Sequence, residues 1–128
     1  MQEGNPPRAE QTIDVSIIVA CYNERPVLRD SVARLIDVMN GTRYANSYEI
    51  IFVDDRSRDN TVEIIRDLVQ KYPEIPTRLI RHATNLGRGR TVMDGFEAAQ
   101  GRIMGFLDID LETPAHYIPV RSEERRVG

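Results

Sequence analysis

Three carboxylates, Asp108, Asp110 and Glu112, occupy alternate positions directly after the apolar run Ile103 to Leu107. On an extended backbone, side chains at i, i+2 and i+4 share one face, so the three would sit together at a strand end. Neighbouring carboxylates repel unless a cation or a set of donors neutralises them. Hard oxygen ligands of this kind suit Mg²⁺ or Mn²⁺, which commonly bridge protein carboxylates and substrate phosphates. An isolated D-x-D also reads as a solvated acidic turn, so its weight depends on what accompanies it. Polar clusters close three earlier runs as well: Tyr22-Asn23-Glu24, Asp54-Asp55, and Asn85-Leu86-Gly87-Arg88.

The elements that must position these clusters follow from hydropathy. Residues 13–21 form a nearly continuous β-branched run, the pattern of a strand buried on both faces. Pro26 suits the first turn of a helix, and Leu28, Val32, Leu35 and Met39 make one apolar stripe that Asn40-Gly41 closes. A second strand spans 48–53. Asp59 is placed to cap a second helix with a stripe of Val62, Ile65, Val69 and Tyr72, stopped by Pro73. A third strand spans 77–81, and a turn at 85–89 leads into a helix with Val92, Phe96 and Ala99. Gly101 ends it before a fourth strand at 102–107. Alternation of this kind predicts an α/β fold, a Rossmann-like, open, mostly parallel sheet with helices on both faces and right-handed crossovers. Ligands of such sheets bind beyond the carboxyl ends of the strands, where the polar clusters fall.

Composition excludes several classes. The 128 residues make one domain, and the net charge of −3 lacks the basic footprint of a nucleic-acid binder. Lys71 is the only lysine among 17 basic residues; arginine suits bidentate phosphate recognition, but a genome-wide coding bias explains the excess more cheaply. The single cysteine, Cys21, lies in an apolar run and reads as packing. His82 and His116 do not make a zinc motif. No run approaches the ~18–20 apolar residues of a membrane span, and the N-terminus lacks a signal-peptide core, so a cytoplasmic location is expected.

A dinucleotide-binding oxidoreductase wants G-x-G-x-x-G after its first strand. Here that strand leads into Cys-Tyr-Asn-Glu, Gly87-x-Gly89 comes two units later without the third glycine, and no Walker loop is present. Instead the series Val19-Ala20-Cys21-Tyr22-Asn23-Glu24, Val53-Asp54-Asp55-x-Ser57-x-Asp59-x-Thr61, Asn85-x-Gly87 and Asp108-x-Asp110 resembles the inverting family 2 glycosyltransferases. Within them it looks closest to the polyprenyl-phosphate sugar transferases, such as the dolichol-phosphate mannose synthases. The resemblance covers residues 13 to about 119 and implies the nucleotide-sugar-binding GT-A fold. It implies that Ala20, Tyr22, Asn23 and Glu24 help hold the nucleotide, that Asp55 reads the base edge and that Asp54 shapes the same turn. Asn85, Gly87 and Arg88 would lie near the nucleotide, with Arg88 against a phosphate. Asp108 and Asp110 would carry the catalysis, Asp110 binding Mg²⁺ or Mn²⁺ and Asp108 facing the ribose or sharing the metal. Glu112 stands where the family often has Gln as a third metal contact.

The implied reaction transfers a sugar from a nucleotide diphosphate sugar donor to a lipid phosphate or glycan acceptor, as in cell-envelope biosynthesis. A carboxylate-held metal stabilises charge developing on the departing β-phosphate, and attack from the opposite face inverts the anomeric centre. A lipid phosphate is already anionic and needs no strong base. The alternative is a non-catalytic nucleotide-sugar-binding module. Residues 1–12 read as a mobile leader, 13–120 as the donor part of a glycosyltransferase domain, and 121–128, an abrupt charge run, as a foreign tail; a truncated fragment is expected, a natural short protein being the alternative. Membrane contact would then come only through a missing C-terminal part. Other polar residues have plain roles. Ser57 would support its turn, Glu49 and Glu63 would be surface charges, Arg90 and Asp94 a solvated pair, and Asn85 serves equally as a cap for the third helix.

Overall fold

A computed structural model describes residues 4–22, 25–58 and 60–108. Strand and helix alternate as β1 (Val15–Cys21), α1 (Arg25–Asn40), β2 (Tyr48–Asp54), α2 (Thr61–Lys71), β3 (Thr77–Arg81), α3 (Arg88–Ala98) and β4 (Ile103–Asp108). The four strands make one parallel sheet in the order β3-β2-β1-β4. From β1 the chain steps outward to β2 and β3, then returns to lay β4 on the other side of β1. That reversal puts a topological switch point between β1 and β4, the place where such sheets open a crevice at their carboxyl edge.

The two-residue pleat sorts side chains onto two faces. Val15, Ile17, Val19 and Cys21 of β1, with Ile50 and Phe52 of β2, join the larger core under α1 and α2. The expected α1 stripe is fully buried there, Leu28, Val32, Leu35 and Met39 all being 3% exposed or less. Each such Leu or Val contributes about 1.5–3 kcal/mol relative to exposure. On α2 the stripe is wider than its sequence spacing indicates. Val62 and Ile65 are buried, but so are Ile64 and Leu68, whereas Val69 and Tyr72 are only partly covered. The helix packs against α1 as well as the sheet, so it buries a second row.

The opposite face carries α3 over a smaller core of Ile18, Ile51, Val53 and Ala99. Gly95 allows the close approach: a Cβ there would lie 2.5 Å from Ile18 Cγ2. Glu49 also faces this side, and it corrects the reading of a surface charge. It is 1% exposed, and its Oε2 accepts hydrogen bonds from Ser16 Oγ at 2.6 Å and from the Gln100 N–H at 2.8 Å. Ser16 Oγ in turn accepts from the Gly101 N–H at 2.8 Å. Strand alternation points position 49 toward α3, and the segment leaving that helix crosses directly over it. A carboxylate survives such burial because donors replace its water.

The segment read as a leader makes specific contacts. Asn5 exchanges hydrogen bonds with Thr77, donating to its Oγ1 at 3.0 Å and accepting its N–H at 2.9 Å, and Asn5 Nδ2 donates to the Val69 carbonyl at 2.9 Å. Among the described residues no helix is long and apolar enough to cross a membrane.

Candidate functional site

The carboxyl ends of β1 and β2 lie side by side, with Cys21 and Asp54 paired in register. Two adjacent aspartates leave β2 there and do different things, because the pleat turns them to opposite faces. Asp54, 1% exposed, accepts the Ser57 N–H at 3.0 Å and the Ser57 hydroxyl at 2.5 Å. This carboxylate closes a turn of the kind Asp favours, as expected for it and for Ser57. Arg56 inside the turn takes the left-handed conformation, φ 59°, and its Nη1 donates to the Ala83 carbonyl at 2.8 Å.

Asp55 points the other way, toward the loop between β3 and α3. Its Oδ1 accepts the Leu86 N–H at 2.7 Å and its Oδ2 accepts the Gly87 N–H at 2.9 Å, while its own carbonyl accepts from Asn85 Nδ2 at 3.0 Å. The loop is thus wound around one residue. Asn85 does not cap α3. The N-cap is Gly87, whose φ of 95° is open to glycine and strained for most other residues. Its carbonyl accepts both the N–H and the hydroxyl of Thr91, at 3.1 and 2.7 Å. The expected cap of α2, Asp59, lies outside the described residues. The observed N-cap there is Asn60, without a side-chain capping bond.

These contacts shape a cleft of about 160 Å³ that Ala20, Tyr22, Asp55, Asn85, Gly87 and Arg88 line, all of them expected at the site. Cys21 and Thr91, not expected there, complete it. The Cys21 residue is buried at 1% exposure, in keeping with a packing role. A wider opening of about 570 Å³ adjoins through Tyr22 and Asn85 and brings in Arg56 and Arg58. The first turn of α3 opens into the cleft at Gly87, Arg88 and Thr91. First-turn N–H groups lack intrahelical partners and carry partial positive charge, so this end favours an anion such as a phosphate.

Behind Asp55 stands His82, which sequence reasoning considered only as a zinc ligand and set aside. Its side chain is 6% exposed, with Nδ1 2.8 Å from Asp55 Oδ1 and Nε2 2.7 Å from Asp94 Oδ2. Arg90 Nε donates to the other oxygen of Asp94 at 3.0 Å, so the expected Arg90–Asp94 pair forms and reaches inward as well. Burial alone would raise Asp55 and Asp94, but hydrogen bonds from His82, joined by the Leu86 and Gly87 N–H groups at Asp55 and by Arg90 at Asp94, hold both below their ordinary value. The one cue in sequence was position: His82 directly follows a strand, at the edge where the other polar groups gather.

Asp108 ends β4 with its Cα paired to that of Ala20, which places its backbone at the rim of the cleft. Asn23, Glu24, Asp110 and Glu112 lie outside the described residues. Among the described residues no three His, Cys, Asp or Glu side chains are grouped to hold a metal.

Comparison with known proteins agrees with this fold. The family description Glycosyl transferase family 2 matches residues 16–121. A dolichol-phosphate mannosyltransferase of Pyrococcus furiosus is 36% identical over 114 residues, 89% of this chain and 30% of the relative. An undecaprenyl-phosphate 4-deoxy-4-formamido-L-arabinose transferase of Pseudomonas fluorescens is 33% identical over 89% of this chain and 33% of its own length. The chain therefore spans about a third of these relatives. Among solved structures, a mannosyltransferase of Pyrobaculum calidifontis in complex with GDP-Man and Mn²⁺ superposes with a TM-score of 0.68 at 23% identity, covering 86% of this chain and 31% of that one. S. aureus TarS in complex with UDP-GlcNAc gives 0.63 at 24%, over 77% of this chain and 27% of that one. The four-stranded parallel sheet with its helices is thus the GT-A arrangement, and the chain belongs to glycosyl transferase family 2.

Proposed function

We propose that this chain supplies the donor-binding side of a metal-dependent transferase that moves a sugar from a nucleoside diphosphate sugar to a polyprenyl phosphate, inverting the anomeric centre. The observation that carries this reading is Asp55, an ionised carboxylate fixed by the Leu86 and Gly87 N–H groups at the wall of a cleft beside the α3 N-terminus. An anchored acceptor suits a base N–H, and the helix end with Arg88 suits the phosphates. Tyr22, 43% exposed, offers a ring for the nucleoside. A cleft of about 160 Å³ is smaller than the ~300–1,000 Å³ of whole-ligand sites. It fits part of the donor, the sugar and acceptor extending past the end of β4.

The metal would be held by Asp108, Asp110 and Glu112, whose hard carboxylate oxygens fit Mg²⁺ or Mn²⁺. When bound, such a cation stabilises the negative charge of the departing diphosphate. The chain's own residues bind and orient the nucleotide. The names of the relatives support a polyprenyl phosphate as acceptor, and the structural neighbours bind GDP-Man and UDP-GlcNAc. A cytoplasmic location, facing a membrane that displays such an acceptor, is part of the same proposal.

Calorimetric titration with UDP and GDP, in Mn²⁺ and then in EDTA, tests it alongside Asp110→Asn. The expected result is binding of one nucleotide that EDTA and the substitution both weaken. Binding indifferent to metal and to Asp110→Asn points instead to a non-catalytic nucleotide module. A folded chain that binds neither nucleotide sinks the donor-site reading.

A further inference from the structure

His82 takes no part in the roles above, yet its surroundings are unusual. The ring is buried between carboxylates from two elements, Asp55 after β2 and Asp94 on α3, at 2.8 and 2.7 Å from its two nitrogens. Arg90 holds the far oxygen of Asp94, and Arg56 reaches the carbonyl of Ala83, the next residue along the chain. A neutral imidazole has one N–H and a lone pair on its other nitrogen. Either neutral tautomer would aim that lone pair at a carboxylate oxygen within hydrogen-bonding distance, a repulsive contact. Only the imidazolium donates to both.

The arrangement also decides which part of Asp55 remains available. Oδ1 already accepts from His82 and Leu86, whereas among the described residues Oδ2 accepts from Gly87 alone. A carboxylate oxygen has room for about two donors, so Oδ2 keeps a free lone pair. We infer that His82, as an imidazolium, is a positioning residue for nucleotide binding, holding Asp55 so that Oδ2 faces the ligand and tying it through Asp94 to the helix that receives the phosphates. This rests on the donor-site reading above. The two ends of the nucleotide site are then coupled through one proton.

Burial by itself would lower the pKa of His82, but the hydrogen bonds to Asp55 and Asp94 outweigh it and carry it above the ordinary 6.5. Such a group makes its contribution in full below its ordinary value and loses it as pH rises through the raised one. Asp55 and Asp94, held low, stay ionised throughout that window. Nucleotide affinity therefore falls on the alkaline side.

The experiment titrates the whole chain with UDP and GDP in Mg²⁺ from about pH 6 to about pH 9, for the parent, His82→Gln and Asp94→Asn. Nitrogen NMR follows both rings, His82 being identified by the signal that His82→Gln removes. The His82 ring is expected to be doubly protonated at neutral pH, with parent affinity falling about tenfold along the alkaline limb, the size of one lost charge-assisted bond. Glutamine carries no charge and can donate to only one carboxylate at a time. His82→Gln should bind about tenfold more weakly from the start and show no limb. Asp94→Asn keeps an acceptor but removes a charge, so it should move the limb to lower pH while leaving affinity at its acid end nearly intact. A neutral ring at pH 7, or an Asp94→Asn limb that does not move, overturns the inference. So does parental binding in a folded His82→Gln, and in these three cases the donor-site reading survives. If the folded parent binds neither nucleotide, that reading falls and this inference with it.

Discussion

Glu49 and Asp55 belong to the same strand and its exit, on the same face of the sheet, and both are buried carboxylates, at 1% and 5% exposure. Each accepts backbone N–H groups from a segment flanking α3. Glu49 takes Gln100, after the helix, and Asp55 takes Leu86 and Gly87, before it. One strand thus grips both ends of one helix. The difference lies in which edge of the sheet each occupies. Glu49 sits near the amino end of β2, where its partners are Ser16 and the chain entering β4, and Asp55 sits at the carboxyl end, where a cleft opens beside the end of β1. Burial and hydrogen bonding do not by themselves mark a ligand site; position at the carboxyl edge of the sheet does.

The largest effect is expected at Asp55. Asp55→Ala strands the Leu86 and Gly87 N–H groups and removes a partner of His82. At about 1–3 kcal/mol for each buried donor left unsatisfied, it should cost roughly 3–5 kcal/mol in urea unfolding and abolish nucleotide binding in calorimetry. Glu49→Ala is the matching cut at the other end. It strands the Gln100 N–H and frees Ser16, for about 2–4 kcal/mol of stability, but the folded protein should keep its nucleotide affinity. A Glu49→Ala chain that is folded and binds poorly would show that α3 transmits strain between its ends, and the division of labour would fail.

Legibility divides along the same line. The strand–helix alternation, the apolar stripe of α1 and the burial of β1 follow from local pattern and could be read directly. So could the clustering of Tyr22, Asp55, Asn85, Gly87 and Arg88, because each follows an apolar strand and an α/β sheet gathers those ends. Glu49 and His82 could not be read. Their partners lie 51 residues away at Gln100 and 27 away at Asp55, and no periodicity reports a pairing across crossovers. The extra buried row on α2 escaped for the same reason, since its stripe shows one face and not the second contact with α1. Asp54 and Asp55 were distinguished only by family resemblance; strand alternation supplies the physical cause.

Gly87 offers a finer cut at the cleft end. Its φ of 95° meets no steric neighbour, since a Cβ there would touch nothing within 4 Å. The penalty of Gly87→Ala is therefore backbone strain alone, about 1–3 kcal/mol, and the residue can relax by swinging its N–H away from Asp55 Oδ2. Affinity should drop with stability. Gly95→Ala contrasts with it: the new methyl meets Ile18 at 2.5 Å, an overpacking cost of about 1–3 kcal/mol, against the middle of the sheet and away from the cleft. Equal losses of affinity in the two variants would mean that nucleotide binding senses the seating of α3 rather than the loop around Asp55.

The smallest effect is acid sensitivity, and it separates the cleft end from the rest of the fold. Asp55 and Asp94 are held below their ordinary 3.8, with burial opposing and the hydrogen bonds from His82 and its neighbours prevailing. A carboxylate with a depressed folded value stabilises the protein above its ordinary value and loses that contribution as pH falls through the folded one. His82 carries its proton throughout this acid range, so the loss reports the carboxylates alone. Asp94→Asn removes one of them and should flatten the decline of melting temperature below about pH 4, leaving an Asp55 component behind. If the slope is unchanged, Asp94 is not held low by the clamp, and the link between β3, α3 and the cleft is weaker than its 2.7 Å contact to His82 indicates.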